Sequence, residues 1–511
     1  MTDLQQTQII TVTALILFSL LMVAVGFISW KKTQTIDGFL LGGRKIGAWA
    51  SAFAYGTSYF SAVIFIGYAG KHGWSIGISS IWIGIGNAVL GCLLAWILLA
   101  KRTRSMTHRL HVKTMPEFFE SRYSSTAVKV TAAVIIFVFL VPYSAAVYKG
   151  LGTMFNTIFP GVPVEVCMAI IAVLTALYLV MGGYVATVYT DLIQGIIMLI
   201  GVTAMVTAIV MHPNAGGFAN SMKKLREIDP QLVNPWGGSN LKFLCTNILL
   251  TSFGTWGLPQ MVSKYYAIKD DRAVKKATFV STVFALVIGC GAYFIGSLSR
   301  LILSNKPPLA ASGAIDFDSV IPNVLLTSLG DSNIVTTVIL AVVLLLLLSA
   351  SMSTLASVVL TSASAVSVDL VPVFNKKFNP KKQIVLTRIL CMLFVVLSYI
   401  FATMNISIIV NIMSFSWGIV SGCFIGPYIY GIYSKKATKC GAWAGIICGF
   451  LTVALSTLII TIKSGFPAAA SYAPEMGVAA MAVSMAAVPL VSLFTKKPDR
   501  KLVEKAFGKE D

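Results

Sequence analysis

Charge is what this sequence has least of. Only 11% of its 511 residues are charged and just 19 are acidic, where an ordinary soluble domain carries about 25% charged residues. With 57% of the chain hydrophobic, its surface cannot be covered in water, which excludes a soluble globular protein. Cysteine pairs with metal-ligand spacing are also missing. Cys92, Cys167, Cys245, Cys290, Cys391, Cys423 and Cys448 fall inside apolar runs and Cys440 borders a basic loop, so neither a disulfide framework nor a thiolate metal centre is expected. His108 and His111 sit in a loop crowded with Lys and Arg, which reads as a solvated face. No phosphate-binding glycine loop, HExxH or nucleophile elbow occurs, which argues against an enzyme or an ATP-driven pump.

What is present is length without charge. Thirteen apolar runs are long enough to cross a bilayer, whose hydrocarbon core asks for about 20 residues of helix. They lie at about 8–30, 47–70, 75–100, 127–154, 163–183, 188–211, 241–263, 277–299, 334–366, 385–404, 408–432, 440–462 and 474–495. The expected class is an all-α integral membrane protein of about 13 transmembrane helices forming a single membrane domain over 1–511. The first run ends in Trp30-Lys31-Lys32 without a small-residue cleavage site and reads as a retained helix.

The net charge of +20 comes mainly from alternate loops. The loops 31–46, 101–126, 184–187, 264–276, 367–388 and 433–439, with the tail 496–511, hold 29 of the 39 Lys and Arg. Such loops face the cytoplasm. The N-terminus is therefore expected outside and the tail, with no appended soluble domain, inside. The composition implies a cell membrane, multi-pass, of the bacterial inner type, with lipid and a small solute as partners and no nucleic acid. Outer loops 212–240 and 300–333 have the length for short surface helices, one starting near Asp316-Phe317-Asp318-Ser319. A glycosylation sequon at Asn405-Ile406-Ser407 sits in a loop too short to use it.

A spanning helix satisfies its own backbone, so an interruption calls for a reason. The second run is interrupted by Ala54-Tyr55-Gly56-Thr57-Ser58-Tyr59-Phe60-Ser61. The seventh is interrupted by Ser252-Phe253-Gly254-Thr255-Trp256-Gly257-Leu258-Pro259. The interruptions are five runs apart. That spacing predicts two five-helix repeats, about 47–211 and about 241–432, each opening with its broken helix; five being odd, the second is inverted. Runs 12 and 13, about 440–495, follow. Paired discontinuous helices in inverted repeats mark a transporter site near the bilayer midplane. Ordinary glycine packing between helices is the competing explanation. In the ninth run, Ser353 and Thr354 are adjacent hydroxyls deep in an apolar helix. They either bond their own carbonyls or supply neutral oxygen ligands to a small cation. Asp191 is the one acid deep in a run. It is either an ion or proton site or an interfacial residue at the start of the sixth helix.

Several motifs resemble the sodium:solute symporter family, whose relatives carry proline, sugars, pantothenate and monocarboxylates. They are Phe39-Leu40-Leu41-Gly42-Gly43-Arg44; Thr114-Met115-Pro116-Glu117-Phe118-Phe119 with Arg122-Tyr123; Met181-Gly182-Gly183-Tyr184 followed by Thr190-Asp191 and Gln194-Gly195; Ser351-Met352-Ser353-Thr354-Leu355; and Gly426-Pro427. Their order covers nearly the whole chain. The resemblance implies a leucine-transporter-like inverted repeat with broken helices 2 and 7, and Na+ as coupling ion. It implies a sodium site of carbonyls from Thr57, Phe60 and Ala350 with the hydroxyls of Ser353 and Thr354. It also implies a second ion or relay position at Asp191 and Ser357, where Ala356 replaces one of the family's hydroxyls. Tyr143 and Pro259 match the sodium/proline branch. Tyr59, Val63, Thr251 and Thr255 depart from it, Tyr59 standing where that branch has an aspartate. The implied solute-lining residues are Tyr59, Ser61, Tyr143, Thr255, Trp256 and Phe415. The expected activity is sodium-coupled symport by alternating access of a small organic solute, an amino acid such as proline or a monocarboxylate. A proton-coupled or sugar/pantothenate-type symporter, a transporter-like nutrient sensor and a channel are the rivals.

Overall fold

The computed structural model describes residues 3–159, 161–330, 333–375, 379–404 and 406–508; Asn405 of the sequon lies outside them. The described chain is helical nearly throughout. Its only extended pairings are two isolated bridges, Ile46 with Ile268 and Leu309 with Ile315. The all-α expectation holds. Among the described residues, ten helices are long and apolar enough to cross a membrane.

All thirteen apolar runs fall on helix. The number of long helices is smaller because two of them carry two runs each and the seventh run is divided into pieces too short to count. Ile64–Leu110 joins the second and third runs, and Val164–Met211 joins the fifth and sixth. Each turns at a glycine of positive φ, Gly77 (φ 58°, ψ −137°) and Gly183 (φ 51°, ψ −147°), a conformation that a side chain resists. A Cβ on Gly77 would also lie 2.2 Å from the Leu232 carbonyl oxygen, and one on Gly183 2.8 Å from that of Phe39.

Both expected interruptions are real, and both are narrower than the sequence suggests. The seventh run divides into Leu241–Gly257 and Pro259–Ala267, with Leu258 extended between them (φ −80°, ψ 121°). Pro259 is the cause: it offers no N–H and pushes the preceding residue out of the helical region. The second run divides after Ala48–Tyr59 at Phe60 (φ −101°, ψ 90°) and continues as wide π-type turns over Ile64–Gly73. No proline acts there. Instead the Ser61 hydroxyl accepts the Val63 N–H at 3.2 Å, restarting the helix as an N-cap does. Gly56, Gly254 and Gly257 stay helical. They are sites of close packing: a Cβ on Gly254 would lie 2.8 Å from the Trp417 ring, and one on Gly257 2.9 Å from the Ser421 Cα.

The segments expected as outer loops carry the short helices Phe218–Ile228 and Val320–Leu329. The second begins where Asp316 accepts the Asp318 N–H at 3.2 Å. Asp318 itself is buried. Its carboxylate accepts the Ile409 N–H at 3.1 and 3.2 Å and the Lys149 ammonium at 3.1 Å. Burial pushes this carboxyl above the usual carboxylate range, opposed by Lys149 and the Ile409 N–H. The Phe317 carbonyl beside it presses on the second half of the broken second run, 2.7 Å from where Gly70 would carry a Cβ. At the other end of the chain, Arg500–Phe507 is a short helix whose Phe507 ring lies 5.2 Å from the Arg122 guanidinium.

The distribution of basic residues assigns the two faces, and single cysteines in a cysteine-free background test it. Cysteines replacing the exposed Lys223 and Asn305 should react with an impermeant maleimide on intact cells. Those replacing the exposed Lys436 and Lys501 should react only after permeabilisation. The reverse pattern would invert the orientation.

Candidate functional site

The break in the second run leaves backbone carbonyls without their usual helical donors, and the ninth run supplies replacements. Ser353 Oγ donates to the Thr57 carbonyl at 2.9 Å and Thr354 Oγ1 donates to the same oxygen at 3.2 Å. Thr354 also reaches the carbonyls of Ser58 at 3.4 Å and Ala350 at 3.1 Å, and Ser353 reaches Ala350 at 3.3 Å. All these side chains are fully buried. Adjacent residues on a helix project about 100° apart, so the two hydroxyls straddle the Thr57 carbonyl from both sides. Four of the five expected sodium ligands, Thr57, Ala350, Ser353 and Thr354, therefore meet. The fifth, Phe60, is the residue at which the backbone leaves the helical direction. The ring is of neutral hard oxygens without a carboxylate, a donor set that suits a small monovalent cation when the hydroxyls turn their lone pairs inward.

Asp191 and Ser357 lie beside this ring. Asp191 is fully buried eight residues after the Gly183 turn, so the interfacial alternative does not apply. Its polar neighbours are Thr57 and the Lys264 ammonium, yet neither carboxylate oxygen has a hydrogen bond of ordinary geometry. Ser357 Oγ shares a hydrogen bond with Ser58 Oγ at 2.8 Å and accepts from Lys264 Nζ at 2.9 Å. The sequence gives no hint of Lys264, which counts there as one more basic residue of an inner loop. The structure shows it 1% exposed, because the helix restarts at Pro259 and carries it back into the bundle.

The expected solute residues separate into two groups. Tyr59 stacks on Phe60 with ring centroids 4.5 Å apart and faces Trp417 at 6.3 Å, its hydroxyl donating to the Thr251 carbonyl at 2.8 Å. Tyr143 meets the Trp417 ring edge-on at 5.8 Å. Ser61 is buried at the break itself. Trp417 thus joins the two tyrosines, and the sequence offers no signal for it, since an aromatic within an apolar run looks like any packing residue. The Tyr143 hydroxyl and the Trp417 indole N–H are both buried; neither makes a hydrogen bond of ordinary geometry, and each is a polar neighbour of the other.

Trp256 and Phe415 are not brought to this place, and Thr255 stands at its edge, on the same Gly91 that the Tyr59 hydroxyl abuts. Thr255 donates to the carbonyls of Ser252 at 2.8 Å and Gly91 at 3.2 Å, closing against the third run. Trp256 donates to the Leu90 carbonyl at 3.0 Å and pairs with Phe253 at 5.1 Å, in an apolar groove with Ile425, Ile429 and Met485. The reason is helical phase: Gly254 and Gly257 share the face toward Ser421 and Trp417, and Phe253 and Trp256, also three apart, share a different one. Phe415 lies in an apolar pocket with Pro142, Phe401, Ile412 and Phe466.

Two broken helices facing each other across a bundle, with a ring of neutral oxygens at one break, define a cation-coupled carrier of the inverted-repeat type. A model of the sodium:solute symporter family matches residues 39–449, and the chain belongs to that family. It is 26% identical to the osmoregulated proline transporter OpuE of Bacillus subtilis (strain 168), over 94% of both chains. It is 26% identical to the sodium/proline symporter of Escherichia coli (strain K12), over 84% of each. It is 25% identical to the sodium/pantothenate symporter of the same organism, over 89% of this chain and 92% of that one. The fold matches a substrate-bound, outward-open Na+-coupled sialic acid symporter with TM-score 0.79 at 17% identity, covering 96% of this chain and 98% of that one. It also matches the nucleobase-cation-symport transporter Mhp1 with TM-score 0.52 at 13% identity, over 92% and 98%. This chain is a transporter in which Na+ drives solute symport.

The oxygen ring makes a direct prediction. Ser353→Ala or Thr354→Ala removes one neutral ligand and little volume. A hydrogen bond to a charged group contributes about 1.5–3 kcal/mol, so half-maximal uptake should need about 10- to 150-fold more sodium. Solute affinity at saturating sodium should change less. Sodium-titrated uptake in proteoliposomes measures both.

Proposed function

We propose that this symporter carries a small solute bearing a carboxylate, an amino acid such as proline or a monocarboxylate, from outside to inside together with Na+ bound at Thr57, Phe60, Ala350, Ser353 and Thr354. The observation that carries the solute class is the pair of neighbouring buried donors, Tyr143 Oη and Trp417 Nε1, on rings 5.8 Å apart and without a hydrogen bond of ordinary geometry. Two donors and no buried cation beside them suit an acceptor-rich group of at most one negative charge. Tyr59 and Phe60 offer ring faces to the apolar remainder of a small solute. Ser61, at the start of the restarted helix, places the positive end of that half-helix nearby, where a carboxylate is favoured.

The cycle follows from the placement. Sodium drawn to the Thr57 carbonyl fixes the break, the break fixes Tyr59 and Phe60, and those rings form one wall of the solute site. Bound sodium thereby raises solute affinity, and by linkage bound solute raises sodium affinity. One charge crossing a potential of about 100 mV supplies about 2.3 kcal/mol, enough for about 50-fold accumulation. The sodium concentration gradient adds to this.

Uptake in vesicles with sodium and pH gradients imposed separately tests the coupling. Labelled proline and a labelled monocarboxylate should accumulate only under an inward sodium gradient. Accumulation under a pH gradient alone would point to proton coupling through Asp191. Trp417→Phe keeps the ring and deletes the N–H, and should raise the solute KM about tenfold with the sodium dependence unchanged. Trp256→Phe should leave the KM as it is.

A further inference from the structure

The Lys264 ammonium is a buried cation that sodium-driven transport does not by itself require. It lies in the second half of the broken seventh run, Pro259–Ala267, and is 1% exposed. Its Nζ donates to Ser357 Oγ at 2.9 Å, and Ser357 bonds Ser58 Oγ at 2.8 Å. Ser58 follows Thr57 directly, and its carbonyl receives Thr354. The ammonium is therefore two hydroxyls away from the oxygen ring. The Tyr184 ring faces it 5.1 Å from Nζ, and Asp191 lies within its electrostatic reach without forming a direct ion pair. A recess lined by Tyr184, Lys264, Ser357, Thr361, Asp369 and Thr114 leads on from it.

A hydroxyl and an acidic group are oxygen ligands that a second metal cation would draw on at this place, whereas the aromatic face suits an ammonium. Here the protein's own side chain provides the positive centre. Ser357 has its oxygen engaged by an N–H donor, and Ala356 offers no hydroxyl beside it. An additional sodium ion at Asp191 would face a fixed ammonium of the same sign in a region where charges are weakly screened.

We propose that Lys264 is a tethered cation, taking the place of a second sodium ion between Asp191 and Ser357, so that this symporter couples each solute to a single Na+ and positions Ser58 at the edge of the sodium site through Ser357. The proposal rests on the reading of Thr57, Ser353 and Thr354 as that sodium site. Three consequences follow. Native transport has a sodium Hill coefficient near one. Removing the ammonium opens the Asp191 position to sodium. Removing Asp191 as well closes it again.

The decisive experiment compares native protein, Lys264→Met, Lys264→Met with Ala356→Ser, and Lys264→Met with Asp191→Asn, each in proteoliposomes. Two quantities are read: the Hill coefficient for sodium, and the sodium-to-solute ratio from the reversal potential. The native ratio should be one, Lys264→Met should move both toward two, adding Ala356→Ser should move them further, and adding Asp191→Asn should restore one. A residue needed only for packing would alter expression or maximal rate without changing the ratio. A native ratio of two overturns the proposal by itself, whatever the fate of the variants. So does a Lys264→Met protein that transports with a ratio of one. Ser353→Ala distinguishes the two levels of argument: if it leaves sodium dependence unchanged, the sodium-site reading fails; if it raises the sodium requirement while Lys264→Met keeps a ratio of one, only the tethered-cation proposal fails.

Discussion

The Thr57 carbonyl is the point on which this structure turns. Within a bilayer, a backbone oxygen released from its helix has no water to accept from and must find a donor in the protein. Breaking the second run at Phe60 creates that need, and Ser353 and Thr354 meet it from the ninth run. The same oxygens that make the break tolerable are the ones a cation can use. Structural satisfaction and ion binding are thus alternative uses of one set of atoms.

The rest of the bundle holds those atoms at fixed distance. Its helices approach backbone to backbone where glycines meet: Gly73 against Gly296, Gly84 against Gly289, and Gly418 against Gly477, where a Cβ would fall 2.0, 2.6 and 2.8 Å from the facing backbone. With lipid as apolar as the side chains, such close contact is the main attraction available between helices. It also means the breaks are the soft points and the intact helices the rigid ones. Leu258 and Phe60 each depart from helical geometry within a residue or two, so each break is confined to a short piece of backbone between intact half-helices.

Much of this was legible in the sequence because the signals are local. Apolar length without charge located the thirteen runs, Pro259 marked one break, and adjacent Ser353 and Thr354 marked the donors. What escaped was decided by helical phase and by where a helix restarts. Trp256 carries the local signature of a cavity residue, yet its phase turns it toward the Phe253 side of the helix. Lys264 reads as the first charge of a loop, and only the nine residues of helix after Leu258 show that it points into the protein. Trp417 is invisible in an apolar run, since its place beside Tyr143 is a property of three dimensions. The glycines of the seventh run were a signal of close packing that resembled a signal of unwinding.

The short helix Val320–Leu329 is held at its start by one buried carboxylate, Asp318, which at once caps the Ile409 N–H and pairs with Lys149. An apolar seam can open by degrees, each ångström costing a little contact. A buried carboxylate between a helix end and an ammonium cannot, because intermediate positions leave charge without either protein or water around it. Separation of this helix start from Lys149 and Ile409 is consequently a snap rather than a slide. The contact stays seated until all three partners can be hydrated together.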